Sequence, residues 1–492
     1  MRLVDLFRRG LPLAAVLAAC APVPDLPDID DGRTEIAAWF PARFSAAASR
    51  AEQDPGALWW SSFSSGELNG VVLNALDGNY DLQSALARLE QARTQVLIDN
   101  AQRSPSVDVS PSLGIDLPEG GIGTAINGGS QSARQLWQAG MTVNYELNLM
   151  GRERFATRAA FNRALASEFA REALVVSLIS EVARTYFEVV AMNERVEVAE
   201  RNLAAITAIT QGVQARLDRG DATLVDVLQQ RILQNNTSAE VNALILQREQ
   251  VENRLATLLG RPPSAVNIHT ASLATIAMPS VDPGLPSDLL CRRPDIRRAE
   301  ANLVSAELDL QAARANLFPS ISLTASAGLG SFELADLLSP QSIFLNSTGS
   351  LIQNVFDGGR RRGEFDQATQ RNRELLADYA NTVVTALREV EDALSGVELT
   401  TRQYLALREA SDLAQQMLDL SVSSVERGGL DYLQLLDTQR TALQTQDREI
   451  VARLGQLQAT VDLVKALGGG FGGVSSGECV QETNSGAEGA VH

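Results

Sequence analysis

The chain has 492 residues, of which only 5% are aromatic, and a formal charge of −18 at pH 7. It exceeds one ordinary domain, and its richness in Ala, Leu, Gln, Arg and Glu points to long helices rather than a wide globular core. The acidic balance argues against nucleic acid, and against an anionic lipid surface, as a partner.

Residues 1–19 have the three parts of a secretory signal: Arg2, Arg8 and Arg9, a short apolar core from Leu11 to Leu17, and small residues before the cut. That core is too short to span a bilayer as a helix. Leu17, Ala18, Ala19 and Cys20 spell the lipobox of bacterial lipoproteins, which predicts acylation of the Cys20 thiol as the mature N-terminus. Ala21, where Asp would retain such a protein, favours forwarding to the outer membrane. Residues 20–67 then form a lipid-anchored extended segment.

An internal repeat organises the remainder. "NYDLQSALARLEQARTQ" from Asn79 has a counterpart in "RPDIRRAEANLVSAELD" from Arg293, 214 positions on. "GRERF" at Gly151 matches "GRRRG" at Gly359, "RGDAT" at Arg219 matches "RGGLD" at Arg427, and "RLATLLG" at Arg254 matches "DLVKALG" at Asp462, each 208 apart. The difference of six lies in a longer loop of the first copy. The domains read as repeat 1 over 68–260, a proline-rich linker over 261–287, repeat 2 over 288–473 and a polar tail over 474–492 whose composition predicts disorder.

In chain order, each copy predicts a helix, a β-hairpin, a very long helix and a return helix. "SVDVSPSLGIDL" (106–117) alternates apolar or Pro with polar or Gly, "MTVNYELNL" (141–149) continues the alternation, and "ISLTASAGL" (321–329) repeats it. The fourth strand falls near Asn346 to Phe356. From Leu178 the positions Leu178, Thr185, Met192, Ala199, Ile206, Val213 and Val182, Val189, Val196, Leu203, Thr210, Leu217 step in heptads. A helix from Glu153 to Leu217 at 1.5 Å per residue is roughly 100 Å long, and its partner returns from Asp221 to Leu259 after a turn at Gly220.

Strands of about ten residues with one oily and one wet face suit an outer-membrane barrel. Four strands cannot close one, and an open edge in hydrocarbon leaves N–H and C=O groups unpaired. The barrel is therefore expected to be shared between copies, and three copies leave an aqueous path. A hairpin lying on a soluble core, in a lipid-anchored coiled-coil scaffold or adhesin, is the alternative.

The order "WWSSF" at Trp59, "NALDGNYDLQSALARLEQAR", "NYELNLMGR", "LPSDLLCRRPDIRRAEANL", "NVFDGGRRR" and "LVKALGGGF" closely resembles the TolC-like outer-membrane factors of tripartite efflux systems, in their NodT-like lipoprotein branch. The resemblance implies a mainly α fold with a β-barrel portion: a homotrimer with a twelve-stranded barrel continued by a periplasmic α-helical barrel. It also implies a passive exit duct for drugs or other small molecules, fed through a periplasmic adaptor by an inner-membrane transporter of the RND type. Tip residues Arg219, Gly220, Asp221 and Thr223, with Arg427, Gly428, Gly429 and Leu430, would meet the adaptor. Asp431 would form a constricting acidic ring, with Asp226 and Asp437 as further aperture candidates. Capping of the returning helices is the alternative role for Thr223 and Asp431.

Catalysis finds little support. The two histidines, His269 and His492, have no metal-ligand or triad spacing, no G-x-S-x-G elbow occurs, and "GGGFGG" at Gly468 lacks the setting of a phosphate loop. No enzyme activity, cofactor or metal is expected. Cys291 and Cys479 could pair in an oxidising periplasm or stay free.

Overall fold

The computed structural model describes residue 36 and residues 58–116, 134–270, 272–281, 286–426 and 432–469. Its main elements are α1 (Gly66–Gly78), α2 (Tyr80–Ala101), β1 (Ser106–Asp116), β2 (Arg134–Leu147), α3 (Arg152–Asp218) and α4 (Leu224–Leu258). After the linker come α5 (Leu289–Arg292), α6 (Pro294–Ala315), β3 (Ser320–Ser331), β4 (Ile343–Ile352), α7 (Arg360–Glu426) and α8 (Tyr432–Ala466). The duplication survives to the residue. Helices α2 and α6 both have 22 residues, α3 and α7 both have 67, and α4 and α8 both have 35.

Two compact units divide the chain. Among the described residues, one gathers those of Glu90–Ala166 and Glu300–Asp378, and the other those of Thr34–Leu89, Ser167–Ala299 and Tyr379–His492. In the first unit the strands form a single antiparallel sheet in the order β1-β2-β3-β4. In the second unit the core is a coiled-coil seam with an aromatic plug. Nine of the twelve heptad positions, Leu178, Val182, Thr185, Val189, Met192, Val196, Ile206, Thr210 and Val213, are buried, as a stripe facing neighbouring helices must be, while Ala199, Leu203 and Leu217 are half-buried. Trp59, Trp60 and Phe63 form a helical turn whose Phe63 ring lies 5.1 Å from that of Phe187 on α3. Arg195 on α3 grips Asp447 on α8 through both carboxylate oxygens, at 2.6 and 3.2 Å, and Arg254 on α4 pairs with Glu188 on α3.

The linker is held by two carboxylates. Glu67 accepts the backbone N–H groups of His269 and Thr270 at 2.7 and 3.0 Å, while Glu194 accepts Leu273 N–H at 2.9 Å. Burial raises the Glu67 pKa, but these N–H groups, with the Thr270 and Tyr186 hydroxyls, outweigh it and hold the carboxyl below its ordinary range. Among the described residues His269 sits in this loop and no cluster of His, Cys, Asp and Glu could hold a metal. Cys291 is disulfide-bonded, whereas Cys20 and Cys479 lie outside the described residues.

Four boundaries differ from the sequence reading, and the second strand is one of them, running Arg134–Leu147 rather than 141–149. The fourth strand runs Ile343–Ile352 rather than 346–356: the Asn354 side chain takes the Phe356 N–H at 3.2 Å and Asp357 takes that of Gly359 at 3.0 Å, so turn chemistry claims the stretch expected to be strand. The return helix begins at Leu224 rather than Asp221, because Thr223 caps it. The segment expected to be extended up to residue 67 instead contains the Trp59–Phe63 turn and the start of α1, capped by Ser65.

Candidate functional site

The sheet has two chemically distinct faces, fixed by register. One row across all four strands reads Val109, Met141, Ala327, Leu345; the next, on the other face, reads Asp108, Thr142, Ser326, Asn346. A one-residue slip of any strand would mix the two. Polar pairs on the wet face bond across strands, with Thr324 Oγ1 donating to Asn144 Oδ1 at 3.1 Å and the Ser322 and Ser350 hydroxyls 2.6 Å apart. On the oily face Val109 and Leu345 are 79% and 82% exposed. Within one chain, β1 and β4 each have a neighbour on one side only. No helix among the described residues is long and apolar enough to cross a membrane.

Gly140 and Gly328 face each other on the wet side. A Cβ at Gly328 would stand 2.5 Å from the Ala139 carbonyl oxygen and 2.6 Å from the Gly140 Cα, so only glycine permits this spacing. The Phe344 ring covers the gap, 3.4 Å from where a Gly140 Cβ would be. Sequence reading missed Phe344, since it placed the strand start beyond it.

At the end of α3 the chain turns through Gly220 at φ 83°, with Asp221 N–H bonded to the Arg216 carbonyl at 2.9 Å. Thr223 and Asp226 then form a reciprocal capping box: Asp226 Oδ2 accepts the Thr223 N–H at 2.8 Å, and Asp226 N–H reaches Thr223 Oγ1 at 3.3 Å. The Thr223 hydroxyl and N–H hold the exposed Asp226 carboxyl below its usual range. Arg219 is exposed beside this turn. Leu224, Val225, Leu228 and Ile232 are each at least half exposed on the first turns of α4, an apolar stripe that the polar reading of the tip passed over. Asp437 is exposed and pairs with Arg440 at 2.7 Å. Arg427, Gly428, Gly429, Leu430 and Asp431 lie outside the described residues.

A family model described as outer membrane efflux protein matches residues 71–261 and 285–469. The chain belongs to that family. This efflux channel is 33% identical over 460 residues to the pyoverdine export outer membrane protein OpmQ of Pseudomonas aeruginosa, covering 93% of this chain and 95% of that protein. It is 33% identical over 398 residues to the toluene efflux pump outer membrane protein TtgI of Pseudomonas putida, covering 81% of this chain and 84% of that one. The solved outer-membrane channel OprN superposes with a TM-score of 0.81 at 28% identity, over 92% of this chain and 98% of its own. The protein is thus an outer-membrane efflux channel of TolC-like fold, joining a helical barrel portion to a β portion. Its family is one of transport proteins.

Proposed function

We propose that three copies of this efflux channel join β4 of one to β1 of the next, so that three sets of four strands make twelve. The trimer is the passive exit duct of a tripartite pump, its helices continuing the pore through the periplasm. The observation that carries this reading is a sheet with one oily face, one wet face and two unpaired edges. In hydrocarbon those edges must be paired, and only closure with further copies does so while leaving the wet face inside. Acylated Cys20 adds a lipid tether. The turn at Gly220 and residues 427–431 receive the adaptor, with exposed Leu224, Val225 and Leu228 as apolar contacts, and an inner-membrane transporter of the RND type supplies the cargo. Asp431 is the aperture residue. Asp437, offset by Arg440, contributes less field to the pore, and Asp226 serves first as the cap of α4.

The relatives' names speak of pyoverdine and of toluene, molecules with little chemistry in common. A duct whose wet face carries Ser, Thr, Asn and Gly fits cargo selection elsewhere in the pump. Planar-bilayer recording with purified protein tests the reading: cation-preferring conductance from a detergent-stable trimer is expected. A monomer without conductance would replace the duct with the lipid-anchored scaffold.

A further inference from the structure

We infer that Arg154 and Arg362 bind the phosphates of anionic phospholipid headgroups where the membrane sheet gives way to the long helices. This rests on the sheet lying in the outer membrane, as proposed above. The two arginines occupy equivalent stations, 208 residues apart, on the first turns of α3 and α7. Both are exposed. Their neighbours are neutralised locally: Arg152 binds Glu146 and Glu153, Arg360 binds Glu364, and Arg361 lies 3.8 Å from Asp357. Arg154 and Arg362 make no ion pair with any described residue, and neither does the half-buried Arg158 one turn further along α3, so at this level the first repeat carries two uncompensated cations and the second carries one.

Their surroundings name the occupant. Just before α3, Leu149 and Met150 are 63% and 45% exposed; just before α7, Val355 and Phe356 are 86% and 90% exposed. These exposed apolar side chains lie just past the ends of β2 and β4. An apolar collar with an aromatic residue, followed within one helical turn by cations, matches the passage from acyl chains to headgroup phosphates. Residues 149–158 and 355–364 hold six arginines against three carboxylates, Glu153, Asp357 and Glu364. The chain's overall −18 conceals this local reversal of sign, so net charge does not keep anionic lipid from this level, where fields act over about a Debye length. Free phosphate would satisfy the cations, but not the collar.

The test uses full-length protein in vesicles of phosphatidylcholine with or without phosphatidylglycerol, then detergent extraction and native mass spectrometry of retained lipid. Wild type should keep phosphatidylglycerol in preference to phosphatidylcholine, and equimolar inorganic phosphate should not displace it. Arg154→Gln with Arg362→Gln should lower that preference roughly fivefold per arginine, Arg154→Lys with Arg362→Lys should keep it, and Arg201→Gln, further along α3, should not change it. Equal retention by wild type and the Gln variant overturns the proposal, as does full displacement by inorganic phosphate. Failure of wild type to insert into vesicles counts instead against the membrane-sheet reading.

Discussion

Asn79 and Arg293 perform the same act one repeat apart. The Asn79 amide donates to the carbonyl of Leu258, the last residue of α4, at 2.9 Å, and the Arg293 guanidinium donates to that of Ala466, the last residue of α8, at 2.9 Å. Each repeat thereby ties the start of its short helix to the end of its return helix, satisfying a carbonyl that a helix end leaves open. The backbones meet at these joints as well. A Cβ at Gly260 would stand 2.1 Å from the Gly78 oxygen, and one at Gly468 would stand 2.8 Å from the Arg292 oxygen. Only Arg293 has charged partners, Asp295 at 2.6 Å and Glu389 at 2.7 Å. Arg293→Met should therefore cost about 2 kcal/mol by removing the donor to the Ala466 carbonyl and to two part-exposed carboxylates, against about 1 kcal/mol for Asn79→Ala. Thermal unfolding of the two variants side by side measures the difference, and equal losses would mean that the carboxylates add nothing to the joint.

Acid should loosen these ties in a defined direction. Burial raises the Asp295 pKa, but the Arg293 bond and charge outweigh it and lower the carboxyl below its ordinary range, as the linker N–H groups do for Glu67. A carboxyl depressed in the folded state adds stability that is complete above its unfolded pKa and lost as pH falls through its folded one. The melting temperature should thus hold from neutral pH down to the ordinary carboxylate range and drop below it. Glu67→Gln should start lower and show a shallower acid limb; a limb as steep as that of wild type would remove Glu67 from the account.

Gly328 and Gly330 separate packing from backbone freedom. Alanine at 328 drives its Cβ into the Ala139 carbonyl at 2.5 Å, whereas alanine at 330 meets nothing nearer than the Gln138 side chain at 3.6 Å. Gly328→Ala should abolish the detergent-stable assembly or cut its yield severely, and Gly330→Ala should assemble normally. Gel mobility with and without heating distinguishes them, and normal assembly of both would show that β2 and β3 can separate without loss.

Much of this was legible because helices and strands announce themselves by period. The heptads from Leu178 place nine buried side chains on one seam, and the offsets of 214 and 208 reappear in paired helices of equal length. Period says nothing of distant partners. Glu389 meets Arg293 across 96 positions, and no local pattern marks either for the other. Phe344 breaks the alternation on the wet face, so a pattern search discards it although glycines opposite make room for it. At the first tip Thr223 and Asp226 spelled a capping box three residues apart, yet an acidic residue near a pore is read as an aperture before it is read as a cap.

The lipobox makes its own prediction. Cys20→Ser should leave the duct's conductance and trimer intact while removing the acyl chains, visible as a mass decrease and as a weaker hold on the outer-membrane fraction. The acyl chains of a lipobox cysteine only anchor a protein to one leaflet, whereas a closed barrel needs no tether to stay inserted. If the serine variant left the membrane altogether, the sheet would not be the element that holds the protein there.

The three acidic candidates near the tips should separate by what already engages them. Asp226 spends one carboxylate oxygen on Thr223, at 2.8 Å to the N–H and 2.7 Å to the hydroxyl, and Asp437 is bridged to Arg440 at 2.7 Å. Asp431 is proposed as the ring residue, where threefold symmetry would bring like carboxylates together to repel one another and attract cations. Asp431→Ala should raise single-channel conductance and antibiotic uptake and weaken the cation preference. Asp437→Ala should change selectivity little, because it removes a charge that Arg440 already offsets. Asp226→Ala should act differently: by uncapping α4 it should increase amide exchange at residues 223–227 with selectivity preserved. Recordings in which Asp226→Ala alters selectivity and Asp431→Ala does not would move the aperture from the second tip to the first.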